Sequence, residues 1–417
     1  MNLYRLELKR VCKTRMTAIL LAIALVLAVV MAYLPVTFIG WTELDASGNE
    51  VRYTGLKAIR KRQEQQVSGT ITPDVMQEAL EAYQRVYRQH DASSINDIPV
   101  EVFYKELARY QPLVNNAKEA FADSKTGMAP GVMGLTAEDM QNFYSQLPKR
   151  LESVIWLEQS GKPGYEQAQA IAQKKFDAVQ KPFTYSFGVS SDAMDYQTLL
   201  SLLLTLLCAV IAAPVFASDA QTGAQDIQLC TKNGGLRLAA AKLAAAFSIT
   251  GAAYLLCGVV WILVTNALFG WESTKTSVQW LFSVTSLLPY TVGQMEWVML
   301  VANFLIFFAE VAFVLMASVW AKNNLTALSV ALISVVAPLI VYMVVPGSFG
   351  EWLSTLLPAG GIGLSNALLY KMISFDFLYA GRHAFFQADV LLASAPVKIV
   401  LLVGLAAWGY LRKTKVA

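Results

Sequence analysis

The sequence predicts an all-α polytopic membrane protein, with six transmembrane helices and a mainly helical extracellular domain inserted between helices 1 and 2. Three observations carry that expectation. Hydrophobic residues make up 55% of the 417 and charged residues only 15%, with a mean hydropathy of +0.45, outside the range of ordinary soluble domains. The apolar excess is gathered into long uninterrupted runs, each able to cross a hydrocarbon core of about 30 Å at about 1.5 Å per residue. Basic residues cluster in the short polar segments on one side of the inferred topology.

Residues 1–16 carry Arg5, Lys9, Arg10, Lys13 and Arg15 against a single acid, Glu7. Arg5, Lys9 and Lys13 recur at helical spacing as a basic stripe, with Tyr4, Leu8 and Val11 opposite, so the segment is expected to be an amphipathic helix on anionic membrane lipids. Residues 17–40 form the first span. Their length exceeds the hydrophobic region of about 7–15 residues in a cleaved signal peptide. Tyr33, Pro35 and Trp41 mark its outer interface.

Residues 41–195 form the one substantial polar domain, with 17 basic and 21 acidic side chains. Thr72-Pro73 supplies an N-cap and a first-turn proline ahead of Val75, Ala79, Tyr83 and Val86, and Thr136 with Asp139 makes a capping box before Met140, Phe143, Tyr144 and Leu147. Further helices are expected at about 100–124, broken by Pro112, and at about 164–180; no hairpin is expected. The domain's aromatic residues, including Tyr87, Phe103, Tyr104 and Tyr110, have helical spacing and are assigned to its core rather than to a ligand surface. Lys57, Arg60, Lys61 and Arg62 form a basic patch assigned to solvent.

Residues 196–417 hold the remaining spans, at about 198–217, 243–268, 297–320, 325–345 and 391–411. Between the second and third lies the polar loop 218–242, helix-competent and broken at Asn233-Gly234-Gly235, which could present one short helix to a partner. Segment 269–295 contains Trp271, Trp280, Pro289 and Tyr290 and is expected to be half-sunk in the interface. Segment 346–390, rich in glycine and aromatics, holds apolar pieces too short to cross and suits re-entrant or interfacial helices shielded by protein. The segments 1–16, 218–242, 321–324 and 412–417 hold 12 basic and 3 acidic residues, and those facing away, 269–296 and 346–390, hold 3 and 5. The positive-inside rule then places both termini in the cytosol and 41–195 outside.

The cysteines Cys12, Cys208, Cys230 and Cys257 all lie outside 41–195, so no disulfide framework is expected there, and with only His90 and His383 a histidine- or cysteine-built metal site is not expected. No G-x-x-x-x-G-K-[ST] occurs, so ATP cannot be held by a P-loop of this chain. No nucleic-acid partner is expected. Glu310 is the one acid deep inside an expected span. It reads either as a lining residue on a substrate path, with Asn303 and Asn266 as weaker companions, or as a hydrogen-bonded residue fixing a helix contact, the reading preferred here. Lys398 is expected to snorkel, and Pro214 and Pro338 to kink their helices.

The chain resembles the permease subunits of type-2 ABC exporters, in the branch with a large extracellular insert between the first and second spans. The resemblance rests on a surface helix before six spans and on the loop residues Asp219, Thr222-Gly223-Ala224, Arg237 and Lys242; it covers 1–40 and 196–417. It departs from the family pattern at Asp219, where Glu is usual, and at Ala224, where Thr is expected. The resemblance implies a bacterial plasma membrane and a pathway formed with a second permease, as a homodimer or heterodimer. It further implies two ABC ATPase subunits docked on the loops, with ATP and Mg bound there and no cofactor in this chain. Asp219, Thr222, Gly223, Arg237 and Lys242 would couple the ATPase to the spans, and the cargo would be an amphipathic peptide, a lipid-linked compound or a drug. Arg237→Glu combined with Asp219→Lys is expected to uncouple transport without unfolding the protein. The alternative is a non-transporting membrane receptor or scaffold whose outer domain binds a ligand.

Overall fold

The computed structural model describes residues 3–45 and 49–414. Among them, six helices are long and apolar enough to cross a membrane, and the chain is a mostly helical, multi-pass membrane protein. Helix α1 (Leu3–Cys12) is followed by α2 (Arg15–Phe38), the first span. The second is α10 (Ser191–Ala212) continued by α11 (Pro214–Thr222), and the third is α13 (Leu236–Phe269), after the short α12 (Ala224–Leu229). The fourth, fifth and sixth are α14 (Val292–Trp320), α15 (Asn324–Val344) and α18 (Gln387–Thr414). α14 is the centre of the bundle, packed on α10, α13, α15 and α18, while α2 lies across α10 and α13.

Four spans, α10, α13, α14 and α18, start a turn or more earlier than their hydropathy indicates, because the first apolar residue does not set a helix start. Thr291 and Gln294 form a capping box that begins α14 at Val292, so Glu296 lies inside the helix. α13 starts about two turns ahead of Leu243.

The polar domain is built on α4 (Pro73–Gln89), capped by Thr72 as the sequence indicates. Around it lie α3 (Leu56–Gln65), α5 (Val100–Val102), α6 (Gln111–Ala120), α7 (Ala137–Gln141), α8 (Phe143–Gln159) and α9 (Tyr165–Asp177). Tyr83, Tyr87, Tyr110 and Phe143 are buried in its core. Burial pushes the Tyr144 hydroxyl up to about 12, which keeps it a donor to Ile71 O at 2.5 Å while it accepts from Phe183 N at 3.0 Å. The capping box at Thr136–Asp139 is present, but its helix stops at Gln141 and restarts as α8. Of the basic patch, Lys57 and Arg60 are exposed, Lys61 pairs with Glu43 at 3.2 Å, and the Arg62 guanidinium stacks 4.3 Å from the Phe187 ring.

The absence of hairpins is not borne out. β1 (Gly40–Leu44) pairs with β2 (Glu50–Thr54), and β3 (Gly69–Thr70) pairs with β4 (Thr184–Tyr185). A second hairpin, β5 (Phe377–Ala380) with β6 (His383–Phe386), precedes α18. Asp45 and Asn49 close the first turn through a backbone bond of 2.9 Å and an Asp45 side-chain bond to Asn49 N of 2.8 Å. β2 buries neither face fully, so the alternation that would announce it is weak.

The domain is hydrogen-bonded to the ends of the spans. Segment 269–295 forms part of this joint. Ser277 N donates to Thr184 O at 2.8 Å, Gln63 donates to Phe269 O at 2.5 Å, and Trp280 packs edge-on against Phe183 and Tyr185. Trp271 alone of its tryptophans keeps large exposure. On the other flank Gln159 donates to Phe375 O at 2.8 Å and accepts from the Tyr379 hydroxyl at 2.8 Å.

After α15 the chain turns back. α16 (Gly347–Leu356) packs on α15 and α18, and Gly361 lies against Ile306 of α14 and Leu391 of α18 before α17 (Leu368–Ile373) leads out again. Lys398 does not snorkel; its ammonium donates to Thr355 O and Leu357 O at 3.0 Å each, satisfying carbonyls at the end of α16.

Pro214 breaks the α10–α11 ladder, and the gap is filled from α14. The Ser318 hydroxyl donates to Ala213 O at 2.6 Å and accepts from Phe216 N at 3.0 Å and Ala217 N at 3.1 Å, at a fully buried position. Hydrocarbon offers no substitute partner. Ser318→Ala is therefore expected to destabilise the protein by about 1–3 kcal/mol; equal unfolding midpoints for the two proteins in detergent would contradict this assignment.

Candidate functional site

The residues singled out in the loop separate into a buried pair and an exposed remainder. Lys242, on the first turns of α13, has no exposed side-chain surface, and its ammonium lies 2.6 Å from Asp219 Oδ2 and 3.2 Å from Glu7 Oε1. Arg10 closes the ring: Nη1 is 2.8 Å from Asp219 Oδ1, Nε is 3.0 Å from Glu7 Oε2, and Nη2 donates to Val215 O at 2.9 Å. Two cations and two carboxylates thus cancel around a wholly buried ammonium, and of the four only Arg10, with 34% of its side chain exposed, has substantial access to solvent; pairing of this kind is the condition under which buried charge is tolerated. The cluster ties α1 to α11 and α13. Tyr4 adds a bond to Ser248 at 3.0 Å, and Val11 is buried against the bundle. Arg5 and Lys9 on α1, and Lys13 just after its end, remain exposed.

Thr222 and Gly223 end α11. The Thr222 hydroxyl donates to Ser218 O at 2.9 Å, and Gly223 takes φ +71°, the left-handed conformation that stops a helix. The chain then forms α12 and folds back through Gly234, where a Cβ would stand 1.8 Å from Gln228 O, so only glycine fits. Arg237 is exposed and donates to Asn233 Oδ1 at 3.2 Å. Gln221 accepts from Asn324 N at 3.0 Å, linking this loop to the α14–α15 turn. Ile227 of α12, Leu236 at the start of α13 and Leu325 at the start of α15 are exposed at 74%, 55% and 74%.

Inside the bundle, Glu310 is fully buried and accepts from the Ser334 hydroxyl of α15, which also lies 2.8 Å from Ala331 O. Ser334 precedes Pro338 by one turn, where the missing proline N–H frees the Ser334 carbonyl. Asn266 donates to Glu296 Oε2 at 2.6 Å, and Gln197 donates to the Glu296 carbonyl at 2.9 Å. Asn303 lies beside Gln197, Ser201 and Tyr254 at a narrow void between α10, α13 and α14. No hydrogen bond joins Glu310, Asn303 and Asn266 to one another among the described residues: they occupy three polar spots, not one connected path. Glu310 Oε2, Glu296 Oε1, Asn266 Oδ1 and Gln197 Oε1 have no hydrogen-bond partner.

No family model matches this chain, and no curated protein matches it at a significant level.

Glu7, Arg10, Ser318, Glu296 and Gln197 were not singled out from sequence. Glu7 carried a signal, as the single acid among five bases on a segment otherwise suited to lipid. Glu296 fell one residue outside the expected fourth span, and the capping box at Thr291–Gln294 is the feature that would have included it. Among the described residues no group of His, Cys, Asp or Glu is arranged to hold a metal ion.

The cluster corrects one expectation. Asp219→Lys would set three cations around Glu7 alone, so it cannot leave the fold intact. Asp219→Asn is expected to cost about 3–5 kcal/mol, because it removes one of the two carboxylates that hold the buried ammonium and leaves Glu7 alone against two cations, whereas Arg237→Glu should stay within about 0.5 kcal/mol of the parent. Equal losses in a chemical unfolding series would contradict the division into buried and exposed sets.

Proposed function

We propose that this chain is the permease subunit of an ATP-driven exporter of the type-2 ABC kind, moving an amphipathic peptide, lipid-linked compound or drug out of a bacterial cell across the plasma membrane. The observation that carries the reading is the buried cluster joining α1, α11 and α13, directly behind an exposed short helix, at the end of the bundle opposite the polar domain. A push on α12 is passed to α1, α11 and α13 together, since moving any one of them alone would separate a wholly buried ammonium from one of its carboxylates or a carboxylate from its cation. Gln221 extends the linkage toward α15. The energy must come from a partner, because the chain has no P-loop. Two ATPase subunits, holding ATP and Mg, would seat on the exposed Ile227, Leu236 and Leu325 amid Lys232, Arg237 and Lys322. The partner must grip this surface differently in its open and closed states, since a ligand shifts an equilibrium only by differential affinity. α15 and α18 bury the least of their apolar surface, which suits lipid or a second permease copy. In this reading both termini are cytosolic and the polar domain is outside.

The receptor or scaffold reading draws support from the hydrogen-bonded seat of the domain on the span ends, which could relay ligand occupancy. Purification of the full chain from its own host in mild detergent separates the two. Stoichiometric recovery of a P-loop ATPase is expected, with loss of that subunit for Ile227→Glu/Arg237→Glu at unchanged thermal stability. Recovery of a kinase instead, or undiminished ATPase binding by the variant, would contradict the exporter reading.

A further inference from the structure

A cleft of about 660 Å³ lies where the polar domain meets the first turns of α18. One wall is α9, with Ile171, Lys174 and Lys175; the other is β6 and α18, with Phe385, Val390 and Ala393. Its chemistry is divided. The rim is cationic: Lys174 is exposed and makes no ion pair among the described residues, and Lys175 lies 2.9 Å from Asp389 and 4.7 Å from the Phe386 ring centroid. That pair is itself partly exposed, at 30% and 58%, a setting in which an ion pair is worth little and a stronger anion can compete for the lysine. The floor is apolar. Val390 and Ala393 continue at helical spacing into Val397 and Val400, exposed at 58% and 72% on the flank of α18. From Val390 to Val400 the helix rises about 15 Å, half the thickness of a hydrocarbon core of about 30 Å.

We propose that this cleft binds an anionic glycerophospholipid from the leaflet beside the polar domain. Its phosphate sits at Lys174 and Lys175, and one acyl chain lies along Val390, Ala393, Val397 and Val400. The groove opens directly onto the membrane-facing stripe, so a lipid enters sideways without leaving the bilayer, and the two lysines select a negative headgroup over a zwitterionic one. Asp389 opposes that selection and lowers it. The site depends on the six spans lying in a bilayer and not on transport.

Crosslinking tests it on the full chain in nanodiscs, with phosphatidylglycerol or phosphatidylcholine carrying a diazirine on the acyl chain and adducts mapped by mass spectrometry. Phosphatidylglycerol adducts are expected within 387–400, falling at least ~fivefold in Lys174→Gln/Lys175→Gln, since each lysine near an anionic surface contributes on the order of 1 kcal/mol. Phosphatidylcholine adducts there should not change. Asp389→Asn, which removes only the opposing charge, should raise phosphatidylglycerol labelling. Equal loss for both lipids in the lysine variant, undiminished phosphatidylglycerol labelling in it, or no rise with Asp389→Asn would overturn the proposal.

Discussion

Lys242 carries an ammonium into a place with no exposure to solvent, and the structure around it is arranged to make that tolerable. Asp219 comes from the end of the second span and Glu7 from the N-terminal helix, and Arg10 neutralises the second carboxylate. Removing any one of the four leaves the cluster with an unbalanced charge. The N-terminal helix is consequently part of the bundle. Its Arg5 and Lys9 stay exposed while the helix is held by charge, by Tyr4 and by Val11.

A related constraint acts where the backbone is interrupted at Pro214 and where α16 and α14 end. Pro214 opens the second span and Ser318 closes the gap. The inward-running α16 ends on the ammonium of Lys398, and α14 ends on Lys413, which donates to Val319 O at 2.6 Å. Each lysine satisfies carbonyls that a helix end leaves without an intrahelical partner. Glu310 and Glu296 complete the set, each holding one oxygen in a hydrogen bond from a neighbouring helix and leaving the other without a partner. These stray oxygens are the polar features of the bundle that packing alone does not account for.

Six spans, their order and the short helix in the loop were legible in the sequence, because long apolar runs and the break at Asn233-Gly234-Gly235 act locally. The cap at Thr72-Pro73 and the core role of Tyr83 and Phe143 were legible for the same reason. What could not be read is non-local. Glu7 and Lys242 lie far apart in the chain, and only the fold reveals that a charge counted toward the loop is an interior one. Trp280 resembled an interfacial anchor because its partners, Phe183 and Tyr185, belong to the inserted domain. The hairpins escaped because their strands are short and only partly covered.

Together these features describe a bundle whose two ends differ in kind. One end is a docked helical domain. The other is a charge-locked unit with an exposed short helix and apolar side chains, which the proposed reading takes as the seat of an ATPase. This requires the two ends to face opposite sides of the membrane, and the native thiols report on it directly, since Cys12 and Cys230 are exposed at the charge-locked end while Cys208 and Cys257 are buried. A membrane-impermeant maleimide applied to intact cells should leave the parent protein unlabelled until the cells are permeabilised, and should label a Lys105→Cys variant at once. Labelling of Cys12 or Cys230 in intact cells, or protection of residue 105, would contradict the account.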